Sequence, residues 1–213
     1  MALPRIQPYE LPTRAELPIS RLAWTIEPAR AALLVHDLQN HFARPFAGDA
    51  PLHPVIQNIA ALREVCRAVG VPVFYSAQTG SQDPRDRGLQ RDIWGPGMDE
   101  APESRAIVEA LTPDAGDIVL TKWRYSAFER TQLAEMLAAR RRDQLIVTGV
   151  YAHIGCLLTT ADAFMRDIEP FFVADAVADF SREHHDRAVA YVAELCGRPV
   201  VTADALTALQ GRA

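Results

Sequence analysis

The sequence predicts an α/β sandwich, with a parallel six-stranded sheet between two layers of helices. Three observations carry this prediction. Apolar runs such as Ala31-Ala32-Leu33-Leu34-Val35 and Leu145-Ile146-Val147 are continuous rather than alternating, as in strands covered on both faces. Segments with helical spacing separate such runs, so that strand and helix alternate six times along the chain. Glycines bracket the turn Gly149-Val150-Tyr151-Ala152-His153-Ile154-Gly155-Cys156, which joins an apolar strand to a helix. The expected architecture is a Rossmann-like three-layer sandwich, read as a single domain over residues 1–213. Right-handed crossovers bring the turns at the strands' carboxyl ends to one rim, where open α/β sheets bind ligands.

In order along the chain, residues 1–29 hold prolines and little periodicity. They read as an N-terminal arm anchored by Trp24 and Ile26, lying across the fold or a neighbouring subunit. The first strand, 31–35, runs into His36-Asp37-Leu38-Gln39. Val55, Ile59, Leu62, Val65, Cys66 and Val69 recur at helical spacing, which predicts a helix over 54–69 closed by Gly70. The second strand spans 71–77. The loop of residues 78–102 after it is long enough to suggest a lid, and it carries Arg85, Arg87, Arg91 and Trp94-Gly95-Pro96-Gly97. A helix is expected over 103–111 and a third strand over 117–120. The spacing Ser126-Ala127-Phe128-Glu129 fits a capping box, predicting a helix over 127–141. The fourth strand is 144–148, followed by a helix over 155–166. A fifth strand over 170–174 precedes a helix that Ser181 caps and that ends near Gly197. A sixth strand over 199–202 and a final helix from Asp204 complete the pattern.

Composition narrows the function. The formal net charge of −5 argues against a nucleic-acid partner. No apolar segment approaches the ~20 residues needed to cross a bilayer, and no signal peptide is evident, so no membrane partner is expected. Cys66, Cys156 and Cys196 form neither a disulfide framework nor a zinc pattern, which suits a reducing cytoplasm. The turn after the first strand lacks the glycines of a dinucleotide site, and no phosphate-binding loop or G-x-S-x-G elbow occurs. The six histidines show no H-x-x-x-H or H-E-x-x-H spacing, and the adjacent His184 and His185 read as surface residues. No cofactor is expected, and a metal site is left without a recognisable ligand spacing.

The rim supplies three candidates. Asp37 follows five apolar residues. Burial there raises a carboxyl pKa and suits a general acid; the alternative is a strand-end aspartate accepting backbone hydrogen bonds. Lys122 holds the corresponding place on the third strand, and its charge opposes that rise; the residues alone leave the balance open. Cys156 is either a nucleophile at a helix N-terminus or an inert core thiol.

These segments resemble the isochorismatase family within the cysteine-hydrolase superfamily. The resemblance rests on Val35-His36-Asp37-Leu38-Gln39, Ala77-Gln78, Trp94-Gly95-Pro96-Gly97, Thr121-Lys122-Trp123-Arg124-Tyr125-Ser126-Ala127-Phe128, the turn 149–156 and Asp175-Ala176-Val177-Ala178-Asp179-Phe180-Ser181. It covers almost the whole chain. It implies hydrolysis of the enolpyruvyl vinyl ether of isochorismate or of 2-amino-2-deoxyisochorismate, in siderophore, phenazine or antibiotic biosynthesis. Gly80-Ser81 and the Arg87 region lean toward the amino substrate. By the resemblance Asp37 is the general acid, Lys122 tunes it, and Phe42, Gln78, Arg87, Trp94, Tyr151 and Gly155 surround the substrate. The superfamily's amidases carry their nucleophilic cysteine where Gly155 stands. Cys156 lies one residue on, a rotation of about 100°, so no covalent intermediate is implied; the alternative is an amidase using Cys156. The segment after Asp37 lacks the Asp-x-His spacing of metal-binding nicotinamidases, so no metal is implied. The resemblance also implies a homodimer and a non-proline cis peptide between Val150 and Tyr151. Some siderophore members are fused to a carrier domain. With the chain ending at Ala213, none is expected in this polypeptide, while a separate carrier protein remains compatible.

Overall fold

In the computed structural model, which describes residues 3–211, the apolar runs form six strands. They are β1 (Ala31–His36), β2 (Val73–Ala77), β3 (Ile118–Thr121), β4 (Gln144–Val150), β5 (Glu169–Ala178) and β6 (Arg198–Val200). All pair in parallel, in the order β3-β2-β1-β4-β5-β6. The continuous run of β1 feeds two cores at once. Ala31, Leu33 and Val35 face one layer, and Ala32 and Leu34 face the other. The helices are α1 (Asn40–Ala43), α2 (Leu52–Ala68), α3 (Pro84–Arg87), α4 (Gln90–Trp94), α5 (Pro102–Arg105), α6 (Leu133–Ala139), α7 (Leu157–Met165), α8 (Arg182–Tyr191) and α9 (Thr202–Leu209). Residues of α2 and α9 cover the first face, and those of α6, α7 and α8 the second, giving the three-layer sandwich.

Strand order and register position the rim. The chain builds outward through β2 and β3, then returns to build β4 to β6 on the other side of β1. The crevice of such a sheet therefore opens between β1 and β4. His36 is level with Gly149 across that boundary and with Ser76 on β2, and Ala77 is level with Thr121. Asp37, Gln78 and Lys122 thus leave three neighbouring strands side by side. Gly149 is required: its φ is +110°, and a Cβ there would lie 2.1 Å from the His36 carbonyl oxygen. The Val150–Tyr151 peptide is cis.

Several local expectations are corrected. The 78–102 loop contains two helical turns, α3 and α4, and Asp83 caps the first by accepting from the Arg85 N–H. The helix expected over 103–111 is broken into α5 and a single tight turn, Glu109–Leu111. Residues between the two pair with the segment after β1, where Asn40 N–H donates to Ala106 O and Val108 N–H to Leu38 O. The helix expected over 127–141 is confined to α6, because Arg130 has a φ of +60° and Ser126 Oγ is engaged by Asp162 and by the Phe128 N–H. A wide helical turn, Ala152–Cys156, precedes α7, and another, Val192–Cys196, follows α8. Strand β5 runs four residues beyond Ala174, and α9 starts at Thr202, whose N–H donates to Asp175. His185 is buried, not on the surface, and bridges Ala174 O and the Tyr9 hydroxyl.

The arm lies across the chain's own fold. Ile26 is buried and Trp24 packs on Phe171, as the sequence suggests. Ile6, bridged to Phe46, and Tyr9, bonded to the Asp179 backbone, are further anchors. The first two residues of the expected arm, and Ala213 at the other end, lie outside the described residues.

Candidate active site

Asp37 leaves β1 at a φ of +48°, a turn that brings its carboxylate back over the sheet edge. Ser76 Oγ donates to Oδ1 at 2.6 Å. Lys122 Nζ lies 2.9 Å from Oδ2, and Gln78 Nε2 donates to the same oxygen at 3.2 Å. Asp37 and Lys122 are 4% and 2% exposed, so this is a buried ion pair with satisfied oxygens rather than a solvated contact. Burial pushes the Asp37 carboxyl up. The Lys122 ammonium, His36 and the Ser76 hydroxyl together outweigh it and hold the carboxyl below the ordinary range. The balance that the residues left open is decided in favour of the charged form.

Above this pair opens a cavity of about 650 Å³. Tyr151 and Phe180 stand 4.5 Å apart between ring centroids on one side, and the Tyr151 hydroxyl donates to Phe42 O. Trp94 faces Phe180 and donates from Nε1 to the Tyr125 hydroxyl at 2.7 Å. Arg87 lies under the Trp94–Gly97 segment, 6% exposed, with Nε donating to Gly95 O. Gly97 has a φ of +85°, and a Cβ there would lie 2.5 Å from Arg87 Cζ, so only bare backbone fits over the guanidinium. Among the described residues no carboxylate lies within ion-pair distance of Arg87. A buried cation with only neutral partners, Gly95 O and Gln82 Oε1, calls for an anion.

The eight residues singled out in the sequence all line this one cavity: Asp37, Phe42, Gln78, Arg87, Trp94, Lys122, Tyr151 and Gly155. Cys156 does not. It is fully buried, its Sγ is turned to Thr148 O at 3.8 Å, and burial pushes its thiol well above the ordinary range. Such a thiol is neither accessible nor ionised. Reading the sequence missed Ser76, Phe180 and Leu3, which closes one side of the cavity from the arm. It also missed Gln39, whose amide holds the Gln78 backbone in both directions, N–H to Oε1 and Nε2 to O. Phe180 stands in a motif quoted above, so its position was visible though its role was not. Leu3 has no periodic context and left no signal. Among the described residues there is no group of three or more His, Cys, Asp or Glu arranged to hold a metal ion.

Comparisons with known proteins give the family and the fold. The isochorismatase domain model matches residues 31–205. The isochorismatase of Bacillus subtilis (strain 168) is 51% identical over 211 residues, 99% of this chain and 68% of that protein. The phenazine biosynthesis protein PhzD of Pseudomonas fluorescens is 50% identical over 200 residues, 94% of this chain and 96% of that protein. Among solved structures, a cysteine hydrolase from Pseudomonas syringae pv. phaseolicola 1448A superposes with a TM-score of 0.82 at 26% identity, covering 92% of this chain and 99% of that one. The chain belongs to the isochorismatase family.

Proposed function

We propose that this protein hydrolyses the enolpyruvyl vinyl ether of isochorismate or of 2-amino-2-deoxyisochorismate. The products are pyruvate and a dihydro ring acid, 2,3-dihydro-2,3-dihydroxybenzoate or trans-2,3-dihydro-3-hydroxyanthranilate. The reaction serves the biosynthesis of a siderophore, phenazine or antibiotic. One observation carries the reading: a buried Asp37–Lys122 pair floors an aromatic-walled cavity whose second cation, Arg87, has no carboxylate partner among the described residues. A substrate bearing two carboxylates supplies the missing charge.

Asp37 transfers its proton to the methylene carbon of the vinyl ether, making a methyl group. The positive charge that develops at the adjacent carbon is shared with the ether oxygen. Water adds to that carbon and returns a proton to the Asp37 carboxylate. The hemiketal then breaks its bond to the ring oxygen, which takes up a proton, and pyruvate leaves. Asp37 has to be protonated for the first step. A substrate carboxylate drawn to Lys122 weakens that residue's hold on Asp37, and closure of the cavity removes water. Both changes raise the carboxyl pKa in the complex. Arg87 pairs a carboxylate through its outer guanidinium edge, Gln78 orients the vinyl ether, and Phe42, Trp94 and Tyr151 pack on the ring. The backbone at Gly155 approaches the reacting group, with no covalent intermediate.

Pyruvate release from each compound, followed with a coupled lactate dehydrogenase assay, tests the reading and ranks the substrates by kcat/KM. No pyruvate from either would end it. We further read residues 1–213 as one domain acting as a cytoplasmic homodimer. Exposed Leu89, Ile93, Leu158 and Met165, which flank one groove, support the homodimer, and three buried free cysteines support the reducing compartment. A monomer mass in sedimentation equilibrium would overturn the homodimer.

A further inference from the structure

We propose that His36 is a positioning residue that bars any side chain from position 155, so that the turn leaving β4 offers only backbone to the reacting group. The inference deepens the reading above and rests on it for its catalytic part. A Cβ built on Gly155 would lie 2.1 Å from His36 Cε1, 2.9 Å from Nε2 and 3.0 Å from Nδ1. Its three nearest neighbours are thus all atoms of one imidazole ring. The nearest obstruction is therefore a single side chain.

The ring is held in place by one hydrogen bond. His36 is fully buried, and Nδ1 lies 2.9 Å from Val150 O. Because a carbonyl only accepts, Nδ1 carries the proton and donates. Burial lowers the imidazole pKa to about 4, so the ring is neutral and Nε2 keeps a bare lone pair. Nε2 makes no hydrogen bond of normal geometry among the described residues, although the Tyr125 backbone lies near enough to act on the ring. From behind, the His36 backbone is held by Gly149, whose missing Cβ would strike the His36 carbonyl. Swinging the ring aside would break the bond to Val150.

The unpaired Nε2 is the informative cost. A valine or leucine would fill a strand end without burying a polar atom, so apolar packing gives no reason for an imidazole here. The ring meets two demands together. Its inner nitrogen satisfies Val150 O at the start of the turn, and its outer edge reaches the face of Gly155. It thereby fixes the turn bearing Tyr151 and Gly155 against Asp37, the next residue in the chain. A covalent route requires a nucleophile carried on this turn. With the first side-chain atom at 155 excluded, water is the attacking group left to the site.

His36→Asn separates the two demands, since the asparagine amide N–H can stand where Nδ1 stands but lacks the outer ring atoms. The test is a thermal-unfolding cycle of wild type, H36N, G155C and H36N/G155C. G155C alone should lose about 5 °C or more in Tm, or fail to fold. In the H36N background at least half of that loss should disappear, leaving a folded protein whose introduced thiol is alkylated by iodoacetamide. The proposal is overturned if G155C is as stable as wild type, or if its loss is the same in both backgrounds, including failure of both to fold. This cycle uses no substrate and so stands apart from the assignment of the reaction. The positioning role is read separately by kcat for pyruvate release. His36→Val, which removes the donor to Val150, should lose at least tenfold, and H36N should regain most of it. Equal kcat in the two variants would reject positioning through that bond.

Discussion

At the carboxyl end of β1, a group that must carry a proton to react sits 2.9 Å from an ammonium that favours losing it. Burial works in the proton's favour, yet Lys122, His36 and Ser76 together prevail. The resolution proposed above is that substrate binding brings the proton. In that case kcat/KM, which reports the free enzyme, falls about tenfold per pH unit from about pH 5 to 7, while kcat stays nearly flat. Pyruvate-release profiles measured across that range check this, and a flat kcat/KM would count against it. Asp37→Asn should cost about 10²- to 10⁴-fold in kcat, the usual worth of a positioned acid, with substrate binding retained in a direct titration. His36 makes a second acid-side prediction. Its pKa is about 4 in the folded protein against an ordinary 6.5, so between those values the unfolded chain binds more protons. The stability it confers is complete above pH 6.5 and is lost as pH falls toward 4, amounting to about 3 kcal/mol. The lowered Asp37 pKa adds a loss of the same sign at still lower pH. Urea midpoints should therefore drop on acidification through this window, and H36N should flatten the drop.

At the scale of elements, the long segment after β2 and the turn before α7 carry the specificity. Arg87 spends Nε on Gly95 O and lies flat under the bare backbone of Gly97. Lysine has one ammonium and cannot both keep that bond and present a paired edge to a carboxylate. Arg87→Lys should raise KM more than tenfold with a smaller change in kcat, measurable in the same pyruvate assay. Cys156 faces the core beneath the turn. Cys156→Ala should keep turnover within tenfold of wild type while losing about 1 kcal/mol of stability, readable from denaturant midpoints. Both segments show where sequence stops informing. Periodicity located α2, and Ser181 marked the start of α8 because its hydroxyl accepts from the His184 N–H. The helices expected over 103–111 and 127–141 form only in part, because the rest of their backbones found partners distant in sequence. Residues 106–108 pair with the segment after β1, and Ser126 is drawn to Asp162. Local propensity carries no record of such partners.

At the scale of the whole molecule, parallel pairing in the order β3-β2-β1-β4-β5-β6 makes a site out of residues scattered from Leu3 to Phe180. The switch between β1 and β4 sets the chemistry beside the turn of residues 149–156, and the arm returns to close the cavity from outside. Removing the arm should therefore impair substrate binding as well as stability. A variant lacking residues 1–9 should show a raised KM for pyruvate release together with a lower Tm, since Leu3 lines the cavity and Ile6 is fully buried.

The fold class was legible in the chain, because continuous apolar runs alternating with helically spaced segments fit a sheet covered on both faces. So was the meeting of Asp37, Gln78, Lys122 and Gly155 on one rim, although β4 and β5 run two and four residues past their expected ends. How those groups act on one another came only with the packed fold. The charge state of Asp37 depends on a lysine 85 positions away lying 2.9 Å from it. The emptiness at Gly155 depends on a histidine from another strand filling the space its side chain would take. Electrostatic and steric exclusion act over a few ångströms in space, and a linear sequence does not record that distance.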